Sequence, residues 1–185
     1  MILFTGFSGS GKSTLARDLA AHLVEGTPRT VSLLDGDDVR RLLSSGLGFD
    51  RAGRDLNVRR IGFVGSEIAR HGGLAICAPI APYAESRAAV RAMVEPVGDF
   101  VLIHVSTPIE ECERRDLKGL YAKARAGLIP EFTGVSDPYD VPTDADLAVD
   151  TSRVSREAAL DQVLELLRTI GLIDDNPTLT TADPE

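Results

Sequence analysis

The sequence predicts a three-layer α/β fold in which a mainly parallel sheet of five strands lies between layers of helices. Short apolar runs alternate with longer segments of helical periodicity, the pattern of repeated strand–helix units. A glycine-rich turn at residues 6–11 separates the first strand from the first helix. The 185 residues, 43% hydrophobic and 26% charged, fit one globular domain of ordinary composition.

Five apolar segments, several of them β-branched, predict the strands. In chain order they are Ile2–Thr5, Thr30–Leu34, Leu74–Ala78, Phe100–Ser106 and Leu147–Val149. Helical spacing and Gly or Pro stops predict helices over about Ser13–Val24, Asp37–Ser45, Arg54–His71 and Glu85–Val94. A further helix is predicted to begin at Ile109 and to include the residues up to Arg115. Ser155 caps the last helix, whose apolar face carries Ala159, Val163, Leu166, Leu167 and Ile170.

The segment Asp116–Asp144 lacks a regular pattern and contains several glycines and prolines. Irregular segments of this length inside a domain are usually functional, so we expect a lid. Two of the chain's three lysines, Lys118 and Lys123, lie at its start, where mobile cations can close over bound anions. One domain then spans residues 1–173, and the acidic, Pro- and Thr-rich residues 174–185 are expected to form a disordered tail.

The net charge is −8, from 20 Lys and Arg against 28 Asp and Glu, and it excludes nucleic-acid or membrane binding through a general basic surface. It does not exclude a local anion-binding pocket. The longest uncharged stretch, Gly72–Ala84, is interrupted by prolines and too short to span a bilayer. Cys77 and Cys112 show neither a metal-ligand nor a disulfide pattern, and buried thiols of this kind indicate a cytoplasmic protein.

The turn Gly6–Ser13 (GFSGSGKS) matches the phosphate-binding pattern G-x-x-x-x-G-K-[ST] and lies between a strand and a helix, as that pattern requires. Glycines let successive backbone N–H groups converge on phosphate oxygens, and the following helix adds the positive end of its dipole. Lys12 is placed to reach the β- and γ-phosphates, and the Ser13 hydroxyl to ligate Mg²⁺. The sequence therefore predicts a nucleoside-triphosphate site on a P-loop NTPase fold of the nucleotide-kinase type.

Carboxylates follow the second strand, at Asp35, Asp37 and Asp38. Ligands bind beyond the carboxyl ends of the strands in open α/β sheets, so a carboxylate there can orient an acceptor hydroxyl or hold Mg²⁺. The alternative role is a helix N-cap, which Asp37 or Asp38 can fill beside any other role. We expect Asp35 and Asp37 to be functional, and Asp38 to cap the helix or face solvent.

Six arginines cluster between residues 40 and 60 of this acidic chain. Guanidinium forks match the geometry of phosphate and sulfate, so the cluster predicts a second anionic ligand beside the triphosphate. We expect Arg40 and Arg54 to bind that ligand. The solvated helix faces are expected to carry Arg41, Arg51 and Arg59.

Several motifs follow one another along the chain. They are GFSGSGKST at 6–14, LDGDDVR at 34–40, LGF at 47–49, RDLNVRRI at 54–61, CERRDLKGLY at 112–121, ARAG at 124–127 and FTG at 132–134. Together they resemble the adenylylsulfate (APS) kinase family, from residue 2 to about residue 171. The resemblance implies that ATP donates its γ-phosphoryl group to the 3′-hydroxyl of adenosine 5′-phosphosulfate (APS), which gives 3′-phosphoadenosine 5′-phosphosulfate (PAPS) and ADP in sulfate activation.

The resemblance also implies a role for each matching residue. ATP and Mg²⁺ are held by Gly6, Ser8, Gly9, Ser10, Gly11, Lys12, Ser13 and Thr14. The catalytic residues are Lys12, Asp35 and Asp37, and the metal is organised by Ser13 and Asp37, although which of the two aspartates acts as the base stays open. APS contacts Arg40, Phe49, Arg54, Asn57, Ile80, Ala81, Lys118, Gly119, Leu120 and Phe132. The two phenylalanines stack on its adenine.

One position departs from the family pattern. Family members commonly carry a serine, phosphorylated in some of them, where this chain has Ala81, so we expect direct transfer without a phosphoserine intermediate. Two alternatives stay open: a kinase of another small hydroxyl-bearing metabolite, or a catalytically weak nucleotide-binding protein. The family often forms homodimers, and functional association with an ATP sulfurylase is a further expectation. Neither nucleic acid nor a membrane is expected as a partner.

Overall fold

The structure, a computed structural model, describes residues 1–174, which form five strands and seven helices. The strands are β1 (Ile2–Thr5), β2 (Val31–Asp35), β3 (Leu74–Ala78), β4 (Val101–Val105) and β5 (Leu147–Val149). The helices are α1 (Lys12–Gly26), α2 (Gly36–Leu42), α3 (Arg51–Arg70), α4 (Ala84–Val94), α5 (Ile109–Arg115), α6 (Leu120–Arg125) and α7 (Arg156–Thr169). The expected tail, residues 174–185, lies outside the described residues apart from Asp174.

The sheet is fully parallel, with the strand order β2-β3-β1-β4-β5, which confirms the predicted fold class. β1 lies at the centre, where Ile2 pairs with Ile76 of β3 on one side and with Val101 of β4 on the other. The chain forms β2 and β3 on one side of β1 and then crosses to form β4 and β5 on the other, and at such a switch a crevice opens at the carboxyl ends of the strands. The loops that follow β1, β2, β3 and β4 meet at this edge.

Alternate residues of β1 enter two separate apolar cores, because successive side chains of a strand point to opposite faces. Ile2 and Phe4 pack with residues of α1 and α7 on one face of the sheet. Leu3 packs on the other face, with residues of α3 and α4. The sheet is thus covered on both sides, as the apolar strands predict.

Some helices begin at a different residue from the predicted one, because of the residue that caps them. α3 begins at Arg51 rather than Arg54, because Asp50 is its N-cap and its Oδ1 accepts a hydrogen bond from the N–H of Gly53 at 2.7 Å. The last helix is capped by Ser155 as predicted. One residue predicted on its apolar face is not buried: Ile170 follows the end of the helix and is 48% exposed.

The lid segment 116–144 is not irregular throughout, and that expectation is wrong. It contains the short helix α6, which begins where the Asp116 carboxylate accepts hydrogen bonds from the N–H groups of Tyr121 and Ala122, both at 3.0 Å. Tyr121 also packs with Phe132 and Cys112 in a third, smaller apolar cluster. The lid is therefore folded onto the domain by its own core.

Within residues 1–174, no helix is long and apolar enough to cross a bilayer. Cys77 and Cys112 are both buried free thiols. Burial raises the pKa of the Cys77 thiol to about 12, so this cysteine stays protonated and unreactive at neutral pH.

Candidate active site

The P-loop, residues 6–13, turns tightly between β1 and α1. Gly6 has a φ of +148°, and a Cβ there would lie 2.5 Å from the carbonyl oxygen of Val105. Gly11 has a φ of +103°, and a Cβ there would come within 3.1 Å of the Thr151 side chain. Both positions therefore require glycine. Because Gly11 is also the N-cap of α1 and has no side chain, the first N–H groups of the helix stay accessible to phosphate oxygens.

Lys12 extends into the turn of the loop. Its Nζ donates hydrogen bonds to the carbonyl oxygens of Gly6 at 2.8 Å and Phe7 at 2.6 Å, and the side chain is buried. Burial lowers the pKa of this ammonium group to about 8. Ser13, the next residue of α1, is half-buried.

The depressed pKa of Lys12 predicts a pH dependence of ATP binding. The triphosphate binds the protonated lysine, which predominates well below its pKa of about 8, is half populated near that pH and titrates away above it. The dissociation constant for ATP should therefore rise as the pH exceeds about 8, by up to about tenfold per pH unit. Calorimetry in buffers of different ionisation enthalpy should also show proton uptake on binding at about pH 9. An affinity that stays constant from pH 7 to about pH 9.5 would contradict this protonation model.

The remaining P-loop residues line the loop with different exposure. Ser10 is buried, Ser8 is half-buried, and Gly9 and Thr14 are exposed. Thr14 lies on the exposed side of α1, and its contact with ATP stays a prediction.

Three residues that the sequence analysis did not identify bind backbone carbonyl groups of the P-loop. Thr107 and Thr151 both donate hydrogen bonds to the carbonyl oxygen of Ser10, at 3.0 and 2.8 Å. Arg115 donates to the carbonyl oxygens of Gly9 at 3.3 Å and Thr151 at 3.1 Å. The two threonines lie just after β4 and β5, at the same edge of the sheet as the P-loop, and that placement is the signal that could have identified them.

The two functional candidates after β2 differ in their surroundings. Asp35 is buried, its Oδ1 accepts a hydrogen bond from the N–H of Asp37 at 3.0 Å, and its Oδ2 accepts one from Arg17 at 3.3 Å. Asp35 is therefore the N-cap of α2. Asp37 is exposed at the open edge. Neither Asp37 nor Asp38 is therefore the helix cap, and Asp38 has the other role expected for it: it faces solvent, in a surface ion pair with Arg41 at 3.0 Å.

The lid reaches the same edge through Lys118. Its Nζ donates a hydrogen bond to Oδ2 of Asp37, although 81 residues separate the two in the chain. Gly119, with a φ of +64°, is the N-cap of α6, and Leu120 packs against the small core of the lid. The structure therefore brings Lys118 to Asp37, whereas Gly119 and Leu120 belong to the start of α6, and the contacts of all three with APS stay predictions.

Arg40 and Phe49 lie together on the acceptor side, the part of the site formed by α2, α3 and the loop between them. The Arg40 guanidinium carbon lies 4.6 Å from the centre of the Phe49 ring, and its Nη1 donates to the carbonyl oxygens of Leu47 at 3.3 Å and Gly48 at 2.8 Å. Phe49 is nevertheless 64% exposed. An exposed ring held by a cation is suited to stacking on a flat ligand.

Arg54 is buried between Phe49 and Phe132. Its Nε donates to the carbonyl oxygen of Phe49 and its Nη1 to Oγ1 of Thr133, both at 2.5 Å, and its Nη2 donates to the carbonyl oxygen of Glu131. In this structure the guanidinium is therefore engaged by the protein, and its role as an APS ligand stays a prediction. Phe132 itself is 8% exposed and packs edge-on against Tyr121, with 5.0 Å between ring centres.

Asn57 lies one helical turn after Arg54 on α3 and is also buried. Its Oδ1 has no hydrogen-bond partner among the described residues. An unpaired buried carbonyl is costly, and a ligand donor would relieve that cost. Of the arginines predicted to face solvent, Arg59 pairs with Asp55 at 2.7 Å, whereas Arg51 also covers the ring of Tyr83 at 4.2 Å.

The loop after β3, residues 79–82, lies directly beside the P-loop. The carbonyl oxygen of Ile80 accepts hydrogen bonds from the N–H of Gly6 at 3.3 Å and from Oγ1 of Thr5 at 2.7 Å. Ala81 has a φ of +46°, the left-handed region that residues with a Cβ rarely adopt. The predicted contacts Ile80 and Ala81 are thus part of a strained loop next to the phosphate site.

Mg²⁺ could be bound here without a site in which every ligand comes from the protein. No cluster of three or more His, Cys, Asp or Glu side chains able to hold a metal occurs in residues 1–174. Mg²⁺ in kinases is bound by substrate phosphates, water and one or two protein oxygens. The Ser13 hydroxyl and the carboxylates after β2 provide oxygens of that kind, so the residues fit the ion.

A parallel sheet with this P-loop at its central strand, acidic residues at its carboxyl edge and a lysine-bearing lid defines a P-loop kinase, a class that transfers a phosphoryl group from a nucleoside triphosphate. Within that class, the chain belongs to the adenylylsulphate kinase family, whose model matches residues 1–150. The resemblance found in the sequence motifs is thereby confirmed.

Three known proteins show the extent of the similarity. The APS kinase CysC of Mycobacterium tuberculosis, solved with AMPPNP and APS, is 42% identical, with a TM-score of 0.84 over 90% of this chain and 96% of that one. A hexameric APS kinase from Thiobacillus denitrificans is 49% identical, with a TM-score of 0.74 over 94% of this chain and 29% of that one. A sulfate adenylyltransferase of Neurospora crassa is 49% identical over 173 residues. The chain spans 30% of the length of that relative.

Proposed function

We propose that this chain is an adenylylsulfate kinase, which transfers the γ-phosphoryl group of ATP to the 3′-hydroxyl of APS and so forms PAPS and ADP. The observation that carries the proposal is the position of Arg54. Its guanidinium binds the backbone of Phe49 and the residues on both sides of Phe132, so one buried side chain links the two segments that carry the aromatic residues expected to hold a purine. A small polyol acid would have no use for such aromatic faces.

The chain's own residues suffice for in-line transfer. On ATP binding, Lys12 exchanges the carbonyl oxygens of Gly6 and Phe7 for phosphate oxygens, and the N-terminus of α1 adds its dipole. The 3′-oxygen of APS forms a bond to the γ-phosphorus as the bond to the β,γ-bridging oxygen breaks, and ADP leaves. The hydroxyl proton passes to a carboxylate.

Asp37 is the carboxylate that we assign as this base. It is exposed at the open edge beside the lid, whereas Asp35 is committed to the N-terminus of α2 and to Arg17. Mg²⁺ would then be held by Ser13 together with the phosphates and water, and would neutralise charge on the phosphates. Lys118 keeps Asp37 paired until the lid closes, when phosphate oxygens compete for the ammonium group.

Ala81 supports direct transfer, because it has no hydroxyl that could carry a phosphoryl group. Incubation of the protein with radiolabelled ATP and no acceptor should leave the protein unlabelled. A covalently labelled protein that passes its label to added APS would contradict direct transfer.

The function is tested by ADP release with Mg·ATP and a panel of acceptors that includes APS, adenosine 5′-monophosphate, gluconate and shikimate. We expect rapid turnover with APS alone. Turnover with a sugar acid but not with APS would favour the kinase of another metabolite, and ATP binding without turnover of any acceptor would favour the nucleotide-binding protein.

Phe49→Ala should raise the KM for APS by about 5- to 150-fold, the effect of losing about 1–3 kcal/mol of base stacking. The KM for ATP should stay within about twofold, because the P-loop is not altered. Phe63→Ala is the matched control, since Phe63 is 61% exposed on α3 and Phe49 is 64% exposed. An unchanged KM for APS in Phe49→Ala would remove this residue from the purine site.

We further propose that the chain self-associates and works with an ATP sulfurylase in the cytoplasm. The support is that one relative is described as hexameric and that relatives more than three times as long are named sulfate adenylyltransferase. Light scattering of the purified protein tests self-association. A strictly monomeric mass would contradict it.

A further inference from the structure

Arg87 is a buried arginine on α4 that the reaction outlined above does not use. It is 4% exposed, and its guanidinium donates to three backbone carbonyls: Nη1 to Ala81 at 2.8 Å and Pro82 at 3.1 Å, and Nη2 to Asp140 at 2.6 Å. None of the ion pairs within residues 1–174 includes it. A buried cation without a carboxylate partner is costly, so its retention calls for a specific reason.

The carbonyls that Arg87 binds belong to the acceptor loop, which we define as residues 79–82. Ala81 in this loop has a φ of +46°, a conformation that costs energy for any residue with a Cβ. The surrounding structure has to impose it. The carbonyl oxygen of Ala81 accepts hydrogen bonds from Arg87 and, at 3.1 Å, from Oγ1 of Thr5.

The acceptor loop is joined to the P-loop on one side. Thr5, the residue before the P-loop, binds the carbonyl oxygens of both Ile80 and Ala81. The hydroxyl of Tyr139 lies 3.0 Å from that of Thr5, within hydrogen-bond distance. Any shift of the acceptor loop would therefore break contacts at the end of β1.

On its other side the acceptor loop is joined to Asp140, near the end of the segment 116–144. The N–H of Asp140 donates to the carbonyl oxygen of Pro82 at 2.8 Å, and Oδ2 of Asp140 accepts from the N–H of Ala84 at 2.9 Å. Arg87 is the side chain that contacts both segments at once, because its two terminal nitrogens bind Pro82 and Asp140.

We propose that Arg87 is a positioning residue for the acceptor: its planar fork holds the acceptor loop in the strained conformation that places Ile80 and Ala81 against the acceptor nucleotide, at a fixed distance from the P-loop. The inference rests on the proposed function for the identity of that nucleotide. The fork matters because its two terminal nitrogens lie at a fixed separation in one plane, one toward each segment, whereas the three donors of a lysine ammonium group radiate from a single atom on a flexible stem.

Arg87→Lys tests the fork, because it keeps the charge and loses the geometry. We expect the KM for APS to rise at least about tenfold while the KM for ATP stays within about twofold. The matched control is Arg91→Lys, one helical turn further along α4. In this variant the KM for APS and the KM for ATP should both stay at the wild-type values. A wild-type KM for APS in Arg87→Lys would overturn the proposal, and so would an equal rise in both KM values.

Hydrogen exchange of the free protein provides a readout that does not depend on which acceptor is used. Amides of the acceptor loop and the start of α4 should exchange faster in Arg87→Lys, whereas those of α1 should not change. Unchanged exchange in the acceptor loop would overturn the proposal, even if the wild type proved inactive on APS, which would refute only the proposed function.

If Arg87→Lys does not fold, Tyr139→Phe decides the question. The ring can keep its packing against Phe7, 4.7 Å away between centres, while the hydroxyl that meets Thr5 is lost. The expected result is a smaller rise in the KM for APS, with faster exchange confined to the same loop. A variant with neither change would contradict the positioning of the loop.

Discussion

Asp37→Asn is expected to lower kcat with APS by about 10²- to 10⁴-fold, the range that a positioned general base contributes. The amide cannot accept the proton of the 3′-hydroxyl, but it is nearly the same size as the carboxylate and stays exposed at the same edge. ATP affinity should change little, because the P-loop and Lys12 supply that binding. Steady-state kinetics and calorimetry with ATP measure the two effects separately.

Asp38→Asn is the control for this substitution. Asp38 is the next residue of α2, equally exposed, and it pairs with Arg41 rather than with the lid. Its kcat should stay within about twofold of the wild type, because surface ion pairs contribute little. If Asp37→Asn kept wild-type kcat, Asp37 would have no part in the chemistry, and Asp35 would become the remaining candidate for the base.

Lys12→Met is expected to lower kcat by about 10²- to 10³-fold, the loss typical of removing one preorganised donor from a developing charge. Methionine fills much of the same volume but brings neither charge nor hydrogen bond to the β- and γ-phosphates. The KM for ATP should rise as well, because the same ammonium group binds the ground state. Activity should not return at high pH or at saturating ATP.

Lys123→Met separates this effect from a general loss of positive charge. Lys123 lies exposed on α6 and forms no ion pair within residues 1–174, whereas Lys118 pairs with Asp37. Of the two lysines expected to close over bound anions, Lys118 is therefore the one that we assign to the site. We expect the kinetic constants of Lys123→Met to match those of the wild type. Equal losses in the two variants would mean that Lys12 acts only through the net charge of the protein, in contradiction to its position inside the loop.

Much of the fold followed from local patterns. The apolar run Leu74–Ala78 is buried along its whole length, and its boundaries were predicted without error. Helix starts were less accurate where a cap residue was overlooked, as with Asp50 before α3. α6 was missed because its first N–H groups are bound by the carboxylate of Asp116, which lies outside the helix, and because its packing against Phe132 joins parts of the chain that sequence periodicity cannot relate.

The site residues show the same difference between local patterns, which the sequence predicts, and tertiary contacts, which it does not. The P-loop is one continuous segment, so its sequence pattern was sufficient to locate it. The pairing of Lys118 with Asp37 depends on how the lid folds back, and the engagement of Arg54 by the backbone depends on residues 131–133 meeting α3. Residue types identified the cations, whereas their partners required the tertiary structure.

The most direct test is a crystal structure of the protein with a non-hydrolysable ATP analogue, Mg²⁺ and APS bound together. We predict the APS adenine against Phe49 and Phe132, and a carboxylate oxygen of Asp37 about 3 Å from the 3′-oxygen, in line with the γ-phosphorus. Phe49, Arg40 and Arg54 turned away from the bound nucleotides, or a 3′-hydroxyl far from Asp37, would contradict the assignment of APS as the acceptor.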